Sequence, residues 1–177
     1  MYELKPSLNI RSGRFLGDKW MESSKKVEIF LNMTLSLIHP ELFESGLLML
    51  QKLRKLDDTK DIARLWQSVY TGINVIGNRV TRSHRDSKGR PEWYDLLANY
   101  ADEKDNGSTP RLLIKDVGLD LKYSSGTVVG LCGSILEHEV RHWGAGDRVC
   151  LAHFMRESVR KKLDVPPAGW VTQTMYL

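Results

Sequence analysis

The sequence predicts an α+β fold, a small antiparallel sandwich or barrel with helices buttressing one side, and three observations carry that expectation. The first third of the chain sets apolar residues at helical spacing between recognisable caps. From Thr71 onward the pattern changes to short β-branched or alternating runs punctuated by glycine. The length of 177 residues with 41% hydrophobic content suits one globular core and leaves no room for two independent enzymes.

Taken in order, Glu22-Ser23-Ser24 offers an N-cap to a helix carrying Val27, Ile29, Phe30, Leu31 and Met33. Pro40-Glu41 suits the first turn of a second helix with Leu42, Phe43, Leu47, Leu48, Leu50 and Leu53, and His39 falls at its boundary. Asp58 or Thr59 caps a third, with Ile62, Leu65, Trp66 and Val69 on one side. Strands are expected around Ile73, Val75 and Val80, and over 111–116, 119–123, 127–131, 135–140 and 148–154. Residues 93–100 read either way, because Trp93, Leu96, Leu97 and Tyr100 fit a helical face while the aromatics also suit a strand. The polar stretch 102–110 reads as a surface loop. One domain results: helical support over 1–70, a β-rich core over 71–160 and a tail over 161–177.

Lys and Arg number 26 against 22 Asp and Glu, a formal net charge of +4 that permits a polyanionic partner and excludes histone-like coating of DNA. Cys132 and Cys150 lack zinc-knuckle or C-x-x-C neighbours, so a reducing compartment is expected. No run of 18 apolar residues and no signal-peptide core is present, so the expectation is a soluble intracellular protein with no membrane partner.

Of five histidines, only His84 has an aspartate two residues on, Asp86. In an extended segment the two side chains share a face with roots about 6–7 Å apart, a suitable bite for a metal ion, although a surface turn gives the same short pattern. A second cluster, HEVRHWGAGDR, begins at His138, 52 residues past Asp86, and ends at Arg148. Two histidines and one carboxylate occupy one face of an octahedral Fe(II) and leave three positions open. A guanidinium offers a bidentate clamp for a carboxylate that the metal does not hold. His142 is a rival third ligand, since it has even parity with His138, but it sits six residues before Arg148 and next to the turn glycines Gly144 and Gly146.

These residues resemble the Fe(II)/2-oxoglutarate-dependent dioxygenases, and SHRDSKGRPEWYDLL with HEVRHWGAGDRVCLAHFMR narrows the likeness to the TET/JBP branch, especially its fungal, transposon-associated members. The likeness covers roughly 78–173. It implies a double-stranded β-helix that takes Fe(II), 2-oxoglutarate and O2 and oxidises the methyl group of 5-methylcytosine, or of thymine, in methylated DNA. Carried over by position, His84, Asp86 and His138 match the iron ligands, Arg148 the 2-oxoglutarate arginine, Arg79 a second arginine near the co-substrate, and Phe154 the aromatic that stacks on the flipped base. Strand parity supports the last assignment, because Arg148, Cys150, Ala152, Phe154 and Arg156 fall on one face; plain core packing is the alternative for Phe154.

Two positions depart from the family pattern: Arg156 stands where a histidine is common, and Gly89 where a polar, base-contacting residue is usual. Arg82, Lys88, Arg90 and Arg156 are expected phosphate or substrate contacts, with a solvated basic face as the alternative. The same chemistry on N6-methyladenine or another methylated substrate, or a catalytically silent nucleic-acid-binding remnant, are the competing functions. A DNA substrate implies a nuclear address.

Overall fold

The structure is a computed structural model that describes residues 4–7, 10, 17–87, 89–102, 109–141, 143–144 and 146–176. Helices and antiparallel sheets divide between two compact units, Met1–Thr71 with Arg156–Leu177, and Gly72–Met155. No helix among the described residues is long and apolar enough to cross a membrane.

The helical unit contains α1 (Gly17–Ser23), α2 (Lys25–Ile38), α3 (Pro40–Leu53), α4 (Lys60–Leu65) and α5 (Glu157–Lys162). Three of the expected helices start where their caps lie, after Ser24, His39 and Thr59. His39 is buried and closes two helices at once: its backbone N–H donates to Leu35 O, and its Nδ1 accepts from the Leu42 N–H at 3.3 Å. Leu31 and Leu35 of α2 and Leu42, Met49 and Leu50 of α3 form buried stripes at i, i+4 and i+7, i+8 spacing. The segment after α5 joins these helices, because Lys52 Nζ donates to Leu163 O at 2.7 Å and Asp164 O at 2.9 Å, and Ser45 Oγ to Pro166 O at 3.1 Å. Lys52, exposed on α3, and Arg54, at its C-cap, thus both satisfy helix-end carbonyls, Arg54 reaching Ala63 O and Trp66 O at 3.0 and 3.3 Å.

The second unit holds eight strands: β1 (Gly72–Gly77), β2 (Thr81–His84), β3 (Asp95–Ala101), β4 (Arg111–Ile114), β5 (Leu119–Lys122), β6 (Val128–Leu131), β7 (His138–Val140) and β8 (Arg148–Phe154). They form two four-stranded antiparallel sheets, ordered β1-β8-β3-β6 and β2-β7-β4-β5. The ambiguous stretch 93–100 supplies β3, whose alternation is masked because Leu96 and Ala98 on one face and Asn99 on the other are all buried.

One core serves both sheets: Leu112, Ile114 and Val140 from one, Leu131 and Cys150 from the other, with Tyr123 between. Pairing and parity then fix what else faces that interior. Ile76 opposes Cys150, so Gly72 and Asn74 of β1 share this face with Ala152 and Phe154 of β8. Asp95 opposes Leu131 and faces inward as well. Across the core, His138 opposes Ile114 on one side and His84 on the other.

Candidate metal centre

Fifty-four residues separate His84 from His138 in the chain, and the β2–β7 ladder removes the distance by setting them directly opposite each other. Their rings lie 4.3 Å apart between centroids and are tilted by 50°. Asp86 follows two residues past the end of β2, its N–H donating to Gly133 O at 2.8 Å. One carboxylate oxygen stands 3.6 Å from His84 Nε2 and the other 3.9 Å from His138 Nε2. These separations are too long for hydrogen bonds and suit donors sharing one cation. The three ligand atoms all fall within 4.8 Å of one another, and they form the one such cluster among the described residues.

The imidazoles are preset for this task. His84 Nδ1 lies 2.9 Å from Arg82 O, and His138 Nδ1 2.9 Å from Leu136 O. A carbonyl only accepts, so each Nδ1 carries the proton and each Nε2 turns its lone pair toward the shared point. Gly133 completes the seat. A Cβ built there would overlap Asp86 Oδ2 and stand 3.3 Å from Asp86 Cγ and 3.2 Å from Asp95 Oδ2.

Arg148 opens β8 and is almost fully buried, yet its Nε and Nη1 have no hydrogen-bond partner among the described residues. Its guanidinium packs at 5.3 Å from the Tyr123 ring and 5.4 Å from Trp143. Asn78, in the left-handed region at φ 48°, fixes the strand start: its Oδ1 accepts from the Arg148 N–H at 2.7 Å, and its Nδ2 donates to Asp147 Oδ1 at 2.7 Å. A buried cation with two donors unspent fits a carboxylate ligand.

Phe154 is half-buried at the far end of β8, on the same inner face. Its ring lies across Gly72, where a Cβ would be 2.5 Å from Cζ and 2.7 Å from Cε2. Asp95 sits close to Asp86, and burial, with the Asp86 charge second, pushes its carboxyl up to about 7. Burial and then Asp95 raise the neighbouring Cys132 thiol to about 11, so it is a neutral thiol rather than a thiolate ligand.

The expected basic residues divide between exposed positions and committed ion pairs. Arg79 and Arg82 are exposed. Arg85 is committed to Ile135 O and Asp116, both at 2.7 Å, and Arg90 pairs with Glu92 at 3.2 Å while stacking 5.6 Å over Trp93. Arg156 belongs to the helical unit, exposed at the N-cap of α5. Lys88 and the rival ligand His142 lie outside the described residues. His153 is fully buried, on the opposite face of β8 from Phe154. Gly133, Asn78 and Asp95 are the site residues that sequence reasoning missed; a Gly-Asn pair at 77–78 is the single local signal for any of them.

Residues 4–157 match a family profile, Tet_JBP, described as the oxygenase domain of the 2OGFeDO superfamily. Among solved structures, NgTET1 in complex with 5mC DNA is similar with a TM-score of 0.63 at 14% identity, over 97% of this chain and 61% of that one. The chain thus spans less than two thirds of that neighbour's length. No curated protein matches.

Proposed function

The chain belongs to the TET/JBP family of 2-oxoglutarate- and iron-dependent oxygenases, and from that premise we propose that it oxidises the methyl group of 5-methylcytosine in DNA, presented as a flipped base. The observation that carries the site assignment is the convergence of His84, Asp86 and His138, whose donor atoms lie within 4.8 Å of one another, in a unit whose interior also buries the Arg148 guanidinium with Nε and Nη1 unsatisfied among the described residues. The strand orders 1-8-3-6 and 2-7-4-5 further support reading the two sheets as a double-stranded β-helix.

Fe(II) with 2-oxoglutarate and O2 supplies the oxidising step, in which the keto acid leaves as succinate and CO2 and a C–H bond becomes C–OH. The protein's part is to bind, orient and exclude water. His84 and His138 would hold the metal through Nε2 because both Nδ1 protons are spent on carbonyls. Asp86 would add the one negative charge among the protein's three donors to the metal. Arg148 would take the remote carboxylate of 2-oxoglutarate with Nε and Nη1, in a setting dried by Tyr123 and Trp143. Arg79 is the proposed second co-substrate arginine. Phe154 would stack the extruded base, a contact worth about 1–3 kcal/mol toward the cost of flipping. Exposed Arg82 and exposed Arg156 each suit phosphates. The neighbour's complex with 5mC DNA supports this choice of substrate.

Gly89 favours a second reading, the same chemistry on N6-methyladenine, because the polar side chain usual there is missing. Purified protein loaded anaerobically with Fe(II) should form hydroxymethylcytosine and succinate from 2-oxoglutarate and 5-methylcytosine DNA. Exclusive oxidation of N6-methyladenine oligonucleotides, read by mass spectrometry, would move the assignment to the second substrate. Failure to bind stoichiometric Fe(II) would leave a silent remnant.

A further inference from the structure

A cytosine-directed pocket needs a group that tells a 4-amino base from a 4-oxo base, and Gly89 cannot supply it. The register of the first sheet supplies a replacement. Leu96 opposes His153 across β3–β8, so carrying that ladder one residue further sets Asp95 beside Phe154. The row facing the interior at this level runs Gly72, Phe154, Asp95, Leu131. The Phe154 ring lies on its Gly72 side, against β1, and Asp95 stands on its β3 side.

The opposite flank of Asp95 is the metal centre. Asp86 Oδ2 and Asp95 Oδ2 both approach the missing Cβ of Gly133, the latter at 3.2 Å. The next residue, Ser134, packs against Gly89, its Cβ 3.5 Å from where a residue-89 Cβ would be. Asp95 therefore sits between the stacking platform and the metal ligand Asp86, against a segment, Gly133-Ser134, that also touches Gly89. No hydrogen bond or ion pair reaches its carboxyl among the described residues. A half-buried carboxyl oxygen without a protein partner has acceptor capacity left for a donor.

We infer that Asp95 is a specificity-determining residue that accepts a hydrogen bond from the exocyclic amine of the flipped base, an inference that rests on the DNA-base reading above. In 5-methylcytosine that amine is on the carbon next to the one bearing the methyl group. A base stacked on Phe154 with its methyl toward the metal presents the amine along the same edge, toward Asp95. Thymine would present a carbonyl there, acceptor against acceptor. Selection then comes from one inward carboxylate on β3 rather than from the loop after the metal aspartate.

The test removes either partner of the contact. Fe(II)-loaded wild type and the variants Asp95→Ala and Asp95→Asn are each given DNA carrying 5-methylcytosine or its 4-deamino analogue, and kcat/KM is taken from product mass spectrometry. The wild type should lose about 10- to 100-fold on deamination of the base. Asp95→Ala should be nearly indifferent to the amine, and Asp95→Asn, which can also donate, should raise oxidation of the thymines in the same oligonucleotide relative to 5-methylcytosine. Ratios within one protein cancel losses of folded or metal-loaded enzyme. Equal sensitivity to the amine in wild type and both variants overturns the inference while the DNA-oxygenase reading stands. A wild type that decarboxylates 2-oxoglutarate but oxidises neither base overturns that reading, and the role of Asp95 with it.

Discussion

Replacing Gly133 with alanine adds one methyl group at the most crowded point of the centre. The new Cβ would stand 3.3 Å from Asp86 Cγ, 3.2 Å from Asp95 Oδ2 and inside the contact radius of Asp86 Oδ2. Asp86 cannot retreat as a unit, because its N–H is tied to Gly133 O at 2.8 Å. The carboxylate must therefore swing by about 1 Å to restore ordinary contact, carrying its oxygens off the 3.6 and 3.9 Å separations from the two imidazoles. A displacement of about 1 Å in a reacting or ligating group costs on the order of 100-fold, or about 2.7 kcal/mol. Gly133→Ala should therefore bind Fe(II) about 100-fold more weakly in anaerobic equilibrium titration, with a comparable loss of succinate formation at limiting iron. Because the added methyl opposes a half-exposed carboxylate rather than the apolar core, the thermal midpoint of the metal-free protein should move by only a few degrees. Wild-type iron affinity in a folded Gly133→Ala would show that Asp86 is not held where a ligand is needed.

Asp86→Ala should abolish turnover, since one of three protein donors is lost; unchanged succinate production by the purified variant would refute the ligand assignment. Arg148→Met should remove the thermal stabilisation given by 2-oxoglutarate in the presence of Fe(II), while the ligand-free protein keeps its stability, because a buried cation with two unused donors is no asset to the bare fold. Differential scanning calorimetry with and without 2-oxoglutarate reads both. Gly72→Ala, by displacing the Phe154 ring, and Phe154→Ala, by deleting it, should each lower base oxidation more than DNA-independent decay of 2-oxoglutarate; equal losses in the two assays would count against the stacking role. Asp95 titrates near 7 in the native state against its ordinary 3.8, so the folded protein holds a proton that the unfolded chain has released. Metal-free stability from this group is complete below about pH 4 and declines as pH rises to about 7, by at most about 4 kcal/mol, and Asp95→Asn should flatten that slope in urea titrations at pH 4, 5.5 and 7.

What could be read from the sequence was local. Ser24, His39-Pro40 and Thr59 announce α2, α3 and α4 because caps act within one turn. His84 with Asp86, two residues apart, and His138 with Arg148, ten apart across one turn, were legible because each pair lies in one short segment. What escaped depends on the ladder. Gly133 meets Asp86 across 47 residues, and Asn78 meets Arg148 across 70. The α1 segment, GDKWMES, carries too few apolar residues to show a period. The helix-face lysine Lys52 gave no sign of capping carbonyls more than a hundred residues away.

Charge explains why the interior is arranged this way. The bare protein holds a buried guanidinium with two donors unspent, and two imidazoles with a carboxylate too far apart to satisfy one another. The guanidinium is the unfavourable one alone, since a buried charge with unspent donors is costly. A divalent cation offsets the Asp86 carboxylate with one positive charge to spare, Arg148 adds another, and a dicarboxylate co-substrate carries two negative charges. The charges of these four groups cancel one another only when all four are present. Arg148 should therefore favour dicarboxylates over monocarboxylic keto acids by more than hydrogen-bond count alone would give, because a monoacid leaves the guanidinium as isolated as before. Competition by 2-oxobutyrate against 2-oxoglutarate on the Fe(II)-loaded protein measures this directly, and similar affinities for the two would mean that Arg148 does not face the co-substrate.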